Sequence, residues 1–242
     1  VTPAQTAVPR DIGFFEWFFD GDTWTGSDGI IESLVDTVIL CAAATAVAAL
    51  VAVPTAAVLA HYRRAQVSST WLVSISRAVP TFAIAALLVP WSLRRGWGFE
   101  PWPIFVALFL LAVVPIYLNT YIAVREVSPG AVDAARALGY GERSILTRIE
   151  CALGASLILA GVRVAAIQVV ATEPIRAFLG GDGLGRYVRD GFGQNNTTLV
   201  VGGIVLIGAL AAMTGVAFVL VERLVLPTGV RRLARRQGDP RP

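Results

Sequence analysis

Leu34 to Ala60 reads LVDTVILCAAATAVAALVAVPTAAVLA, 27 residues that are nearly all Ala, Val, Leu and Ile. Coiled as a helix, such a run is about 40 Å long, more than the roughly 30 Å of a bilayer's hydrocarbon core. Backbone amides cannot be left unpaired in hydrocarbon, so the run predicts a transmembrane helix. Similar runs follow at Leu72 to Trp91, Pro103 to Val124, Ala155 to Leu179 and Leu199 to Val221. The fourth is interrupted by Arg163, Gln168, Glu173 and Arg176 and is the weakest of the set. The expectation is an all-α, polytopic membrane protein of about five spans.

Composition agrees with this class. Of 242 residues 55% are hydrophobic, and mean hydropathy is +0.67. All 20 basic residues are Arg. One His (His61) and two separated Cys (Cys41, Cys151) do not supply the parts of a zinc site, a Cys/His dyad or a Ser/His/Asp triad, which disfavours a hydrolase or metalloenzyme. The Gly180 to Gly193 stretch follows an apolar helix rather than a strand and lacks dinucleotide-loop spacing; it reads as a tight outer turn that lets a short helix fold back. There is no Gly-x-x-x-x-Gly-Lys-[Ser/Thr] loop, nor any Lys to make one, so no ATP site and no cofactor is expected here. The Arg-rich tail is explained by topology and anionic lipid, and no nucleic-acid partner is inferred.

Charge sets a direction. Residues 1–33 carry Asp11, Glu16, Asp20, Asp22, Asp28 and Glu32 against Arg10, whereas 227–242 carry Arg231, Arg232, Arg235, Arg236 and Arg241. The positive-inside tendency then predicts an outer or interfacial segment 1–33, a membrane domain 34–226 and a cytoplasmic tail 227–242. Arg94, Arg95, Arg186 and Arg189 fall outside as exceptions, beside an aromatic belt of Trp91, Trp97 and Trp102. Nothing at the N-terminus reads as a cleavable signal. Phe14 to Phe19 reads instead as a short amphipathic piece on the outer surface.

The polar link from about 125 to 154 is too patterned for a disordered loop. Ser128-Pro129 reads as a helix start, Ala131 to Leu138 as a helix, and Gly139 as a corner. A second helical stretch, Glu142 to Cys151, puts Ile145, Leu146 and Ile149 on one side and leaves Glu142, Arg143, Arg148 and Glu150 for water or a partner.

Asp133-Ala134-Ala135, three residues, Gly139, nine residues, then Ile149 resembles the EAA loop of membrane subunits of binding-protein-dependent ABC importers. In that family the pattern is Glu-Ala-Ala, three residues, Gly, nine residues, Ile-x-Leu-Pro; here the acid is Asp133 rather than Glu, and Cys151-Ala152 stand in place of Leu-Pro. Further segments resemble the osmoprotectant branch that carries glycine betaine, choline, carnitine or proline betaine: Arg77 to Thr81, Leu118 to Tyr121, Leu157 to Arg163 and Ala177 to Gly185. The resemblance covers about residues 30 to 226. It implies a type I importer permease fold of the methionine-importer kind and a pathway shared with a second permease subunit. It also implies an extracytoplasmic solute-binding protein and ATPase subunits that receive the first link helix through Asp133, Ala134, Ala135, Gly139 and Ile149.

Charges at bilayer depth are costly and normally have a partner. Glu173 and Arg176 are three apart on one helix face, with Pro174 between them removing an amide donor. They either line the path or a gate, or form a structural ion pair at a helix interface. Asp36 and Asn119 are further pore candidates, or else satisfy helix ends and interhelical hydrogen bonds. An ABC permease for another solute such as an amino acid shares every strong feature, and an ion-coupled secondary transporter is the alternative of a different class.

Overall fold

The computed structural model describes residues 13–25, 29–63, 80–99 and 101–225. The first part of the second span (72–79), the motif residues Arg77 to Val79 and the Arg-rich tail lie outside the described residues. All regular structure among the described residues is helical: α1 (Phe14–Phe19), α2 (Gly21–Thr25), α3 (Ile30–His61), α4 (Thr81–Arg94), α5 (Trp102–Arg125), α6 (Pro129–Ala137), α7 (Glu142–Ile145), α8 (Cys151–Leu153), α9 (Ala155–Thr172), α10 (Gly185–Gln194) and α11 (Thr197–Val225). A π-helical turn, Leu146–Glu150, joins α7 to α8, and a 3-10 segment, Glu173–Leu179, follows α9. The helices at Ile30–His61, Trp102–Arg125, Ala155–Leu179 and Thr197–Leu224 are long and apolar enough to span a bilayer; α4 is apolar but its described part is shorter.

Packing explains which helix is central. Every fourth residue of α3 from Ala44 to Ala60 is an Ala (Ala44, Ala48, Ala52, Ala56, Ala60), and all five are buried. On α5 the matching ridge is Ile104, Leu108, Ala112, Ile116, Thr120 and Val124, also buried. The two helices pack together, with α4 and α9 against other faces of α5 and α11 outside α9. Lipid offers no hydrophobic driving force between helices, so a smooth Ala ridge that admits larger side chains from its neighbour supplies close van der Waals contact instead.

Glycine permits the second close approach. A Cβ at Gly161 on α9 would lie 2.6 Å from the Asn119 Cβ and 3.0 Å from the Pro115 carbonyl oxygen, and one at Gly154 would lie 2.9 Å from the Ala123 Cβ. Toward the link end of this bundle, Arg163 of α9 pairs with Glu222 of α11 at 3.7 Å.

The aromatic N-terminal segment is more than a surface piece. Trp17 of α1 is buried with Tyr187 and Leu199, and its ring fills the space beside Gly202 that a Cβ would occupy. Phe15 and Phe19 remain exposed. At the same end Arg95 lies over Trp91, 4.7 Å from the ring centroid, and Trp91 and Trp97 meet edge to face at 5.3 Å. The guanidinium thus has indole faces as partners at this end of the bundle.

Gly161→Ala should cost about 1–3 kcal/mol through overpacking, while Gly193→Ala, with nothing within 4 Å of the added Cβ, should be neutral. Thermal unfolding of the detergent-solubilised protein checks both; equal midpoints would remove the α5–α9 approach from the account.

Candidate functional site

Two groups of polar residues lie at opposite ends of the bundle. The first is the link between α5 and α9. Pro129 starts α6, Gly139 turns the chain at φ +84°, and α7 returns toward the membrane. Val132, Ala135 and Ile145 form a small buried cluster that fixes α6 against the returning strand of helix, with Val127 and Ile149 packed on it. Of the sequence-predicted residues, Ala135 is therefore an inner contact and Ile149 a supporting one, while Asp133, Ala134 and Gly139 face outward. Leu138, 79% exposed, and Tyr140 add an apolar surface at the corner that the motif did not point out. A Leu beside a corner glycine with no packing partner in the link was the available signal.

The link is also tied by charge. Arg136 donates to Glu142 at 2.8 and 3.0 Å and to Asp133 at 3.3 Å. Those hydrogen bonds from Arg136 hold the Glu142 carboxyl below the ordinary glutamate range, with His61 adding to the effect. His61, at the end of α3, meets Glu142 at 3.0 Å and Glu150 at 2.6 Å. Glu150 is thus buried rather than free for water or a partner, while Glu142 is tied to His61 and Arg136 and stays exposed to water. The π-helical turn inserts an extra residue into the ladder, and Glu150 within it is buried.

The second group lies where α9 gives way to the 3-10 segment. Arg176 pairs with Asp36 of α3 at 2.6 Å and with Glu173 at 3.3 Å. Glu173 is fully buried and accepts from the Thr37 hydroxyl at 3.3 Å, while Thr37 accepts from the Leu184 amide at 3.0 Å. Gly183, at φ +89°, closes over the cluster, because a Cβ there would lie 2.7 Å from Thr37 Oγ1 and 2.8 Å from Glu173 Oε1. Pro174 starts the 3-10 turn, and its carbonyl is covered by Gly185 at the start of α10. Arg189 of α10 donates to the Ala177 and Gly181 carbonyls, pinning the turn. The Asp36 side chain is 48% exposed and is the accessible edge of the group.

Asn119 is not brought into this cluster. It donates to the Pro115 carbonyl of its own helix at 2.8 Å and packs beside Gly161, twelve residues and so about 18 Å of helix away from Glu173. Thr37 and Arg189 were not singled out by sequence; a Thr next to the one charge of the first span was the usable hint for the former.

Residues 48–227 match the binding-protein-dependent transport system inner membrane component family. The chain belongs to that family. This permease is 30% identical over 184 residues to the choline transport system permease protein OpuBB of Bacillus subtilis, covering 76% of the present chain and 82% of the relative. It is likewise 30% identical over 189 residues to the carnitine transport permease protein OpuCB of Listeria monocytogenes, covering 78% and 84%. The fold matches the MetNI methionine ABC transporter in an inward-facing crystal form with TM-score 0.70 at 18% identity, covering 82% of this permease and 96% of that chain. The all-helical permease architecture of type I importers, multi-pass in an inner membrane, is therefore established. Family membership implies an ATPase and a binding protein as partners.

Removing one member of a buried ion pair leaves the other uncompensated, at about 3–5 kcal/mol. Arg176→Met should therefore destabilise the protein more than the double change Glu173→Gln, Arg176→Met. Thermal midpoints of the two purified variants decide this; a double variant less stable than the single would contradict the pairing.

Proposed function

We propose that this chain is the permease subunit of an ATP-driven importer for a compatible solute such as glycine betaine, choline, carnitine or proline. The observation that carries the reading is the α6 corner. It is a short helix outside the spanning bundle, anchored at its rear by Val132, Ala135 and Ile145, with Ala134, Leu138 and Tyr140 presented outward. A rigid element with a small, partly apolar tip suits insertion into a groove of a separate protein. The link end is the cytoplasmic side, and the acidic N-terminal segment is outside.

On this reading ATP is bound and hydrolysed by cytoplasmic partner subunits, and the permease itself holds no cofactor. Asp133, Ala134, Ala135, Gly139 and Ile149 form or support the contact with the ATPase, and Leu138 joins them. A second permease subunit, identical or related, completes the pathway, and an extracytoplasmic binding protein delivers the solute. The substrate class follows from the names of the choline and carnitine relatives and from the osmoprotectant-like segments at Leu157 to Arg163 and Ala177 to Gly185.

The Asp36, Glu173 and Arg176 group, with Pro174 shaping the turn, borders the path on the outer side. Its accessible carboxylate suits a quaternary ammonium, and the buried Glu173 fixes the guanidinium that orients it. Asn119, near the other end of the membrane, acts in helix packing.

Reconstitution with the cognate ATPase and binding protein tests the proposal. Labelled glycine betaine, choline or carnitine should accumulate only with ATP inside, and Asp36→Asn should weaken uptake while assembly persists. Uptake of an amino acid such as methionine in preference to these solutes, or uptake driven by an ion gradient without ATP, would replace it.

A further inference from the structure

The motif residues account for the outward face of the link but not for the His61, Glu142 and Glu150 constellation behind it. His61 is the last residue of α3, the long helix whose first turns carry Asp36 and Thr37 in the outer cluster. Its side chain is 3% exposed, and each ring nitrogen meets a different carboxylate: Nδ1 lies 2.6 Å from Glu150 and Nε2 lies 3.0 Å from Glu142. Carboxylates accept, so each contact is one to which a ring N–H can donate. Glu142 is in turn gripped by Arg136 of α6 through two hydrogen bonds. Glu150 belongs to the π-helical turn that leads through α8 into α9, the helix that ends at Thr172, next to Glu173.

We propose that His61 is a positioning residue for energy coupling: it clamps α3 to the corner helix through Glu142 and Arg136, and to the root of α9 through Glu150. A displacement of α6 is then delivered to both helices that hold the outer polar cluster, rather than absorbed by the link. The surrounding charges agree with a mechanical joint. The small cavity beside His61 is bordered by Arg63 from the end of α3, Arg125 from the end of α5, and Asp133 and Arg136 from α6, and Tyr62 sets its ring edge to face against the imidazole at 4.9 Å. Glu150 is the buried anchor; Glu142 is the exposed member that connects to the moving helix.

This inference rests on the proposed contact between α6 and an ATPase. The experiment uses the reconstituted complex of permease, ATPase and binding protein with His61→Gln and, separately, Glu142→Gln. The exposed Glu142 site keeps the test valid where the buried change hampers folding. Co-purified ATPase, the ratio of binding-protein-stimulated to basal ATP hydrolysis, solute transported per ATP and the concentration of loaded binding protein giving half-maximal stimulation are measured. Expected are an intact complex, an unchanged half-maximal concentration, and a stimulation ratio and transport yield lowered about five- to tenfold, the scale of an allosteric coupling term. Wild-type stimulation and yield in Glu142→Gln would overturn the clamp, as would loss of the ATPase from both variants, which makes the constellation a structural prop. Absence of ATPase from the wild-type complex would overturn the underlying reading and this inference with it.

Discussion

Helices in lipid do not attract one another by hiding apolar surface from water, so this bundle depends on how closely its backbones can approach. The Ala44 to Ala60 ridge of α3 against the buried ridge of α5, and the bare Gly154 and Gly161, before and on α9, against Ala123, Asn119 and Pro115 of α5, are the two contacts that allow it. The first covers the half of α3 nearer the link, and the second the start of α9. They make α3, α5 and α9 a packed unit, and α11 sits outside with an apolar face left for lipid or another subunit.

Such a unit carries polar groups where its helices end or break. At one end α9 yields to a 3-10 turn at Glu173 and Pro174, and the side chains released there converge on Asp36 and Thr37 of α3. At the other, α3 ends in His61 against the π-helical turn that leads to α9. The same two helices therefore join the two polar groups, which is what an element biased by events on both sides of a membrane requires. The distortions of regular helix occur at these joints, where freed backbone groups and side chains can be satisfied by protein.

Much of this was legible from sequence. The hydrophobic runs fixed four long helices to within a few residues, apart from an earlier start of α3, because length and apolarity are direct consequences of bilayer thickness. Even the interrupted fourth span holds, since Arg163 finds Glu222 and Arg176 finds Asp36 and Glu173. The link was readable from Pro129, the paired alanines and Gly139. What local pattern could not show was long-range pairing. Local spacing does not show that the end of a span more than eighty residues earlier brings His61 against both Glu142 and Glu150. Asn119, polar in an apolar run, reads either as a pore residue or as a hydrogen-bonding one, and its side chain bonds the Pro115 carbonyl of its own helix.

The central claim is that the α6 corner seats in an ATP-hydrolysing partner. Single cysteines placed in intact cells test it most directly, in a chain whose Cys41 and Cys151 have been replaced. Leu138→Cys at the corner should crosslink to the ATPase subunit, and Phe192→Cys, 64% exposed in the native residue and at the opposite end of the bundle, should not. Failure of Leu138→Cys and its neighbours along the corner to capture any nucleotide-hydrolysing protein would contradict the account.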